Sequence, residues 1–131
     1  MLRFEHMPSD FQPIFLFVGD AADLSALAKL LRHFAESPQE ILVGEKIPDT
    51  KSRVSLTLGR ADSVSGMRDL GGKFSWKLND WQAQRIAERI ELLTPLEKKS
   101  GSEIIEVGSE GEIPVKVSRG EFTDDFLISK W

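Results

Sequence analysis

The chain of 131 residues has no cysteine, only two histidines, and no apolar run longer than the five residues Ile14 to Val18. Each absence removes a class of chemistry. Without cysteine there is no disulfide framework and no thiolate nucleophile or metal ligand, which agrees with a reducing compartment. His6 and His33 are too far apart to form a histidine pair at zinc-ligand spacing, and His33 sits beside Arg32 on the polar flank of a helix. A five-residue apolar run cannot span a bilayer. The first residues, MLRFEHMPSDF, mix Arg3, Glu5, His6 and Asp10 among the apolar side chains and offer no apolar core with a small-residue cleavage site, so they do not form a secretory signal. The expectation is a cytoplasmic, soluble protein without membrane association, of bacterial type, and without metal or cofactor.

What is present is ordinary in bulk, with 40% hydrophobic and 29% charged residues, which suits one globular domain over 1–131. The net charge of -4 is unevenly placed: residues 1–60 carry -1, residues 61–99 carry +1 and residues 100–131 carry -4. An acidic last third repels phosphate backbones, so nucleic acid is a disfavoured partner and a basic protein surface a more natural one.

Two segments have helical periodicity. In GDAADLSALAKLLRHFAESP, Leu24, Leu27, Ala28, Leu31 and Phe34 recur at steps of three and four, with Asp20 as N-cap, Asp23 in the first turn and Ser37-Pro38 as the stop. In NDWQAQRIAERIELLTP the stripe is Ala83, Ile86, Ala87, Ile90 and Leu93, started by Asn79 or Asp80. Strands are expected at IFLFV, RVSLTLG, KFSWKL, EIIEV, IPVKV and FLI (126–128), with LRFEH and EILVG as further candidates. EIIEV and IPVKV should pair as a hairpin, and Pro114 argues for an edge position. No internal repeat and no low-complexity tract is visible. The order β-α-β-β-α-β-β predicts an α+β two-layer sandwich, a largely antiparallel sheet of five to six strands carrying two amphipathic helices.

Within that order, FLFVGDAADLSALAKLL and GKFSWKL resemble the RNA-recognition motif over twenty to thirty residues. The resemblance implies base stacking on exposed aromatics at Phe17, Phe74 and Trp76. Strand periodicity opposes it. The residues alternating with Phe74, Trp76 and Leu78 are Ser75, Lys77 and Asn79, so the aromatics occupy the strand's apolar face. Turning them outward would push Lys77 into the core at a cost of about several kcal/mol, whereas burying each aromatic gains roughly 2 to 3 kcal/mol. RNA binding is therefore the alternative reading, and Gly71-Gly72-Lys73 is a hairpin turn rather than a phosphate loop, since it leads into a strand.

Catalytic constellations are as sparse. There is no Gly-x-Ser-x-Gly elbow, DSVSG places Val64 where an Asp-x-Ser-x-Ser metal loop needs serine, Asp20 and Asp23 are explained as helix-capping residues, and the adjacent Asp124 and Asp125 point to opposite faces if extended. A small enzyme with an unrecognised site is the third reading. Two features exceed what folding alone requires. ADSVSGMRDLGG is a twelve-residue connection carrying Met67, Arg68, Asp69 and Leu70. In the first apolar strand, Phe15 and Phe17 face away from Ile14, Leu16 and Val18 and need a cover. The leading expectation is a small non-catalytic protein-interaction or ligand-binding module, partnered by another protein or by itself, with Phe15, Phe17, Met67, Arg68, Asp69 and Leu70 as contact residues.

Overall fold

Both long helices begin on a capping box. Asp20 accepts from the Asp23 N–H while the Asp23 carboxylate accepts from the Asp20 N–H, each at 2.9 Å, and Asn79 and Gln82 repeat the exchange at 2.7 and 3.0 Å. The computed structural model describes residues 1–8, 13–95, 97 and 100–120. Its elements are β1 (Leu2–Met7), β2 (Ile14–Gly19), α1 (Ala21–Glu36), β3 (Ile41–Leu42), α2 (Val43–Lys46), β4 (Thr50–Lys51), β5 (Ser55–Arg60), β6 (Gly66–Asp69), β7 (Lys73–Leu78), α3 (Asp80–Glu91), β8 (Gly101–Ile105) and β9 (Val115–Arg119).

The fold is the expected α+β two-layer sandwich, with nine strands among the described residues shared between two sheets. One sheet has the order β4-β1-β2-β9-β8, and the other β3-β5-β7-β6. Four of the seven strand pairings are antiparallel; β1/β4, β2/β9 and β5/β7 are parallel. The sheets face each other through aromatic side chains: Phe15 lies 5.2 Å from Phe74, and Phe17 stacks on Trp76 at 5.6 Å. The buried stripes of α1 and α3 complete the same core cluster.

Several expectations are corrected. The hairpin of EIIEV and IPVKV forms as β8/β9, but β9 is an interior strand between β2 and β8. Pro114 is tolerated because it precedes the first strand residue, and its carbonyl accepts from the Phe15 N–H at 2.9 Å. The connection 61–72 is not one loop, since it contains β6, whose pairing with β7 is closed by Gly71 and Gly72 at φ values of +79° and +95°. EILVG supplies only the two residues of β3 before winding into α2. The expected strand at 126–128 lies outside the described residues.

A repeat invisible in the sequence is plain in the topology. Residues 2–60 run β-β-α-β-β, ignoring the short α2 and β4, and residues 66–119 do the same. The antiparallel pair β1/β2 corresponds to β6/β7, α1 to α3, and β5 to β9. From β2 onward the correspondence keeps a step of 59 residues: Leu27 with Ile86, Ala28 with Ala87, Leu31 with Ile90, Leu58 with Val117. Each half sends its last strands into the other half's sheet, β5 beside β7 and β9 beside β2. Equivalent residues also touch one another, as Phe15 and Phe74 do and Phe17 and Trp76 do, which is the contact pattern of two units about a local two-fold axis.

Candidate functional site

The structure distributes the expected contact residues between core and clasp. Phe15 and Phe17 are wholly buried, and their cover is the second sheet rather than a partner. Met67 is wholly buried as well, its backbone carbonyl accepting from the Ile113 N–H at 2.8 Å. Arg68 turns back: a terminal nitrogen of its guanidinium donates to the Ser109 hydroxyl at 2.7 Å and to the Ser65 carbonyl at 3.2 Å. It fastens the connection between β8 and β9 onto β6. The Asp69 carboxylate accepts from the Gly72 N–H at 2.9 Å and closes the hairpin turn, and only Leu70, 63% exposed, stands free of the fold. The six residues therefore do not make one surface.

Two acidic side chains of the last third are similarly committed. The Glu112 carboxylate accepts from the N–H groups of Val107, Gly108 and Ser109 at 3.1, 2.6 and 3.0 Å, and Glu103 is paired with Arg89 at 3.1 Å. Glu106 and Glu110 face solvent. Asp124 and Asp125 lie outside the described residues. Asp62 of the DSVSG stretch accepts from the Ser63 and Val64 N–H groups, which hold its carboxyl below the usual range and identify a local turn. Among the described residues no group of three His, Asp or Glu side chains could hold a metal ion, and no helix is long and apolar enough to cross a membrane.

Among the described residues the most exposed large apolar side chain is on α3. Trp81, the second residue of the helix, is 68% exposed. It lies off the buried stripe of Ala83, Ile86, Ala87 and Ile90, and with Arg85 and Arg89 it forms a second row at four-residue steps. The Arg85 guanidinium lies over the indole ring, 6.0 Å from its centroid. Arg89 reaches across to β8, donating to Glu103 at 3.1 Å and to the Ile104 carbonyl at 2.7 Å. Between helix and strand runs a groove of about 330 Å³ lined by Trp81, Gln82, Arg85, Ile86, Arg89, Ile105, Glu106 and Val107. Ile104 is exposed on the other face of β8.

The internal two-fold pattern shows how unusual this row is. Shifted by the 59-residue step, Trp81, Arg85 and Arg89 fall on Ala22, Ala26 and Leu30 of α1. The buried positions of the two helices match in character, whereas this row replaces small or apolar side chains by an indole and two guanidiniums. One signal in the sequence points there: a tryptophan outside the apolar stripe of its helix. No family model, no curated protein and no solved structure matches this chain.

Proposed function

We propose that this protein is a cytoplasmic, non-catalytic protein-interaction module that docks a partner on the groove between α3 and β8. The observation that carries the reading is the exposure of Trp81 with the Arg85 guanidinium over its ring. Tryptophan and arginine are the residue types most concentrated at interface hot spots, where a large side chain over a shallow apolar floor excludes water. Folding gives Trp81 no comparable return, since its indole contributes little to the core. The groove's volume is at the lower end for small-molecule sites, which suits an anchor pocket for one or two side chains within a wider contact.

The burial of Phe17, Phe74 and Trp76 weighs against the alternative of RNA stacking in the RNA-recognition-motif manner, because none of the three presents a ring to a base. The test is affinity capture from the native host with wild type, Trp81→Ala and Arg85→Glu, each checked for fold by circular dichroism. The reading requires a protein captured by wild type and lost by both variants. Capture unaffected by either substitution would sink it.

A further inference from the structure

The charges around the groove are not equivalent, and their pairing indicates what the occupant carries. Arg89 is paired with Glu103 and also donates to the Ile104 carbonyl. Its hold on that carbonyl also places a side chain where an added strand would have to bond, so the exposed flank of β8 is guarded at Ile104. Arg85 has no ion-pair partner among the described residues. Its guanidinium carbon lies over the Trp81 ring at 6.0 Å from the centroid, and with no ion pair to hold it the fork is free to bind a carboxylate with two hydrogen bonds. Below it, Ile86, Ile105 and Val107 form an apolar floor. Glu106 on the strand wall is a solvated side chain at the end of β8 that can turn toward water.

From this arrangement we infer that the groove recognises a short acidic-apolar peptide segment of a partner protein: a large apolar side chain set on the Ile86–Ile105–Val107 floor against Trp81, flanked by a carboxylate on Arg85. The inference rests on the protein-interaction reading and specifies its ligand. It reverses the expectation from net charge, because an acidic protein here offers an unpaired cation at the site.

The test uses the full chain and two peptides, Ac-Asp-Phe-Asp-NH2 and Ac-Lys-Phe-Lys-NH2, followed by nuclear magnetic resonance. The indole N–H signal of Trp81 is assigned through Trp81→Phe. The acidic peptide is expected to shift that signal and those of residues 85–89 and 104–107, with affinity about tenfold or more above the basic peptide, and Arg85→Glu should reverse the preference. Equal affinity for the two peptides, preference for the basic one, or no binding of either would overturn the inference. So would saturable binding of polyuridylate that is lost in Trp81→Ala, which would make the shelf a base-stacking site. If the peptides fail while Trp81→Ala still abolishes partner capture, the acidic specificity is wrong and the docking site stands. If capture survives Trp81→Ala, the docking site itself is wrong.

Discussion

Arg32 and Glu91 occupy the same position in their respective helices, twelve residues beyond each N-cap, and they bind each other through two hydrogen bonds of 2.9 and 2.6 Å. They are 59 residues apart in the chain, the step that relates the two halves of the fold. A residue that meets its own counterpart lies on or beside the symmetry axis. In a true homodimer such a position would face a copy of itself, two arginines or two glutamates opposed. Joining the halves in one chain lets the two sites differ, so the axis carries an ion pair with forked geometry.

That pair makes stability depend on acid in a defined direction. The hydrogen bonds from Arg32 hold the Glu91 carboxyl below its usual range. A carboxylate whose pKa is depressed by folding contributes stability that is present above its unfolded value and lost as pH falls through the folded one. Glu91→Gln should therefore lower the urea midpoint at pH 7, and the gap to wild type should close as pH drops below roughly 4. Both side chains are well exposed, so the effect will be small beside that of a core truncation. A gap that is constant from pH 7 to pH 3 would exclude this account.

The two capping boxes are equivalent in place and different in chemistry. Asp20→Ala and Asn79→Ala should each cost about 1 kcal/mol at pH 7. The Asp20 carboxyl is pulled below its ordinary value, first by the Asp23 N–H, so the cost of Asp20→Ala should fade in acid while that of Asn79→Ala persists. Parallel urea titrations at pH 7 and pH 3 distinguish the two.

Across the sheets, Phe17 and Trp76 should behave as one unit. Each change to alanine is expected to cost about 3 to 5 kcal/mol, because each empties a filled site in the core. The double variant should be less damaging than the sum by about 0.5 to 1.5 kcal/mol, the coupling of rings in direct contact. Strict additivity in urea unfolding would deny the contact.

Trp81 is predicted to be separable from folding. Trp81→Ala should change stability by no more than about 0.5 kcal/mol and remove much of the tryptophan emission that acrylamide quenches readily in wild type. A destabilisation comparable to that of Trp76→Ala would place the ring in the core and end its candidacy as a docking residue.

Gly66 tests the clasp between β6 and the β8–β9 connection. Its φ is +95°, and a Cβ there would lie 2.7 Å from a carboxylate oxygen of Glu112 and 2.9 Å from its Cβ. Gly66→Ala should cost about 1 to 3 kcal/mol through backbone strain and displacement of Glu112. Amide exchange should also accelerate at Val107, Gly108 and Ser109, whose N–H groups Glu112 accepts. Unchanged exchange there would mean that the clasp tolerates the methyl group.

Local physics made the helices and most strands legible. The stripes and capping residues of α1 and α3, and the inward turn of Phe74 and Trp76, follow from periods of 3.6 and 2 and from side-chain chemistry within a few residues. The duplicated architecture did not show, because the halves share only the class of their buried side chains, such as Leu31 with Ile90 or Phe34 with Leu93, and differ almost everywhere else. The cover over Phe15 and Phe17 was illegible for a related reason. It comes from β7, far along the chain, and no local pattern in β2 names its partner in space. Nothing local marks Met67 as a strand residue, because β6 is only four residues long and contains a glycine, too short for alternation to declare itself. Trp81 stands at a helix start, and its place off the apolar stripe is legible in the sequence.

The exchange of strands between the halves also bears on how the chain is made. Phe15 of β2 pairs in register with Val115 of β9, one hundred residues later. A ribosome adding roughly 5 to 20 residues per second takes roughly 5 to 20 s to supply that partner. Through that interval the first sheet lacks an interior strand, and the aromatic face of β2 lacks the β7 rings for more than half of it. The nascent first half thus holds an unfilled strand position beside an apolar surface, an edge open to pairing with another chain until β9 arrives.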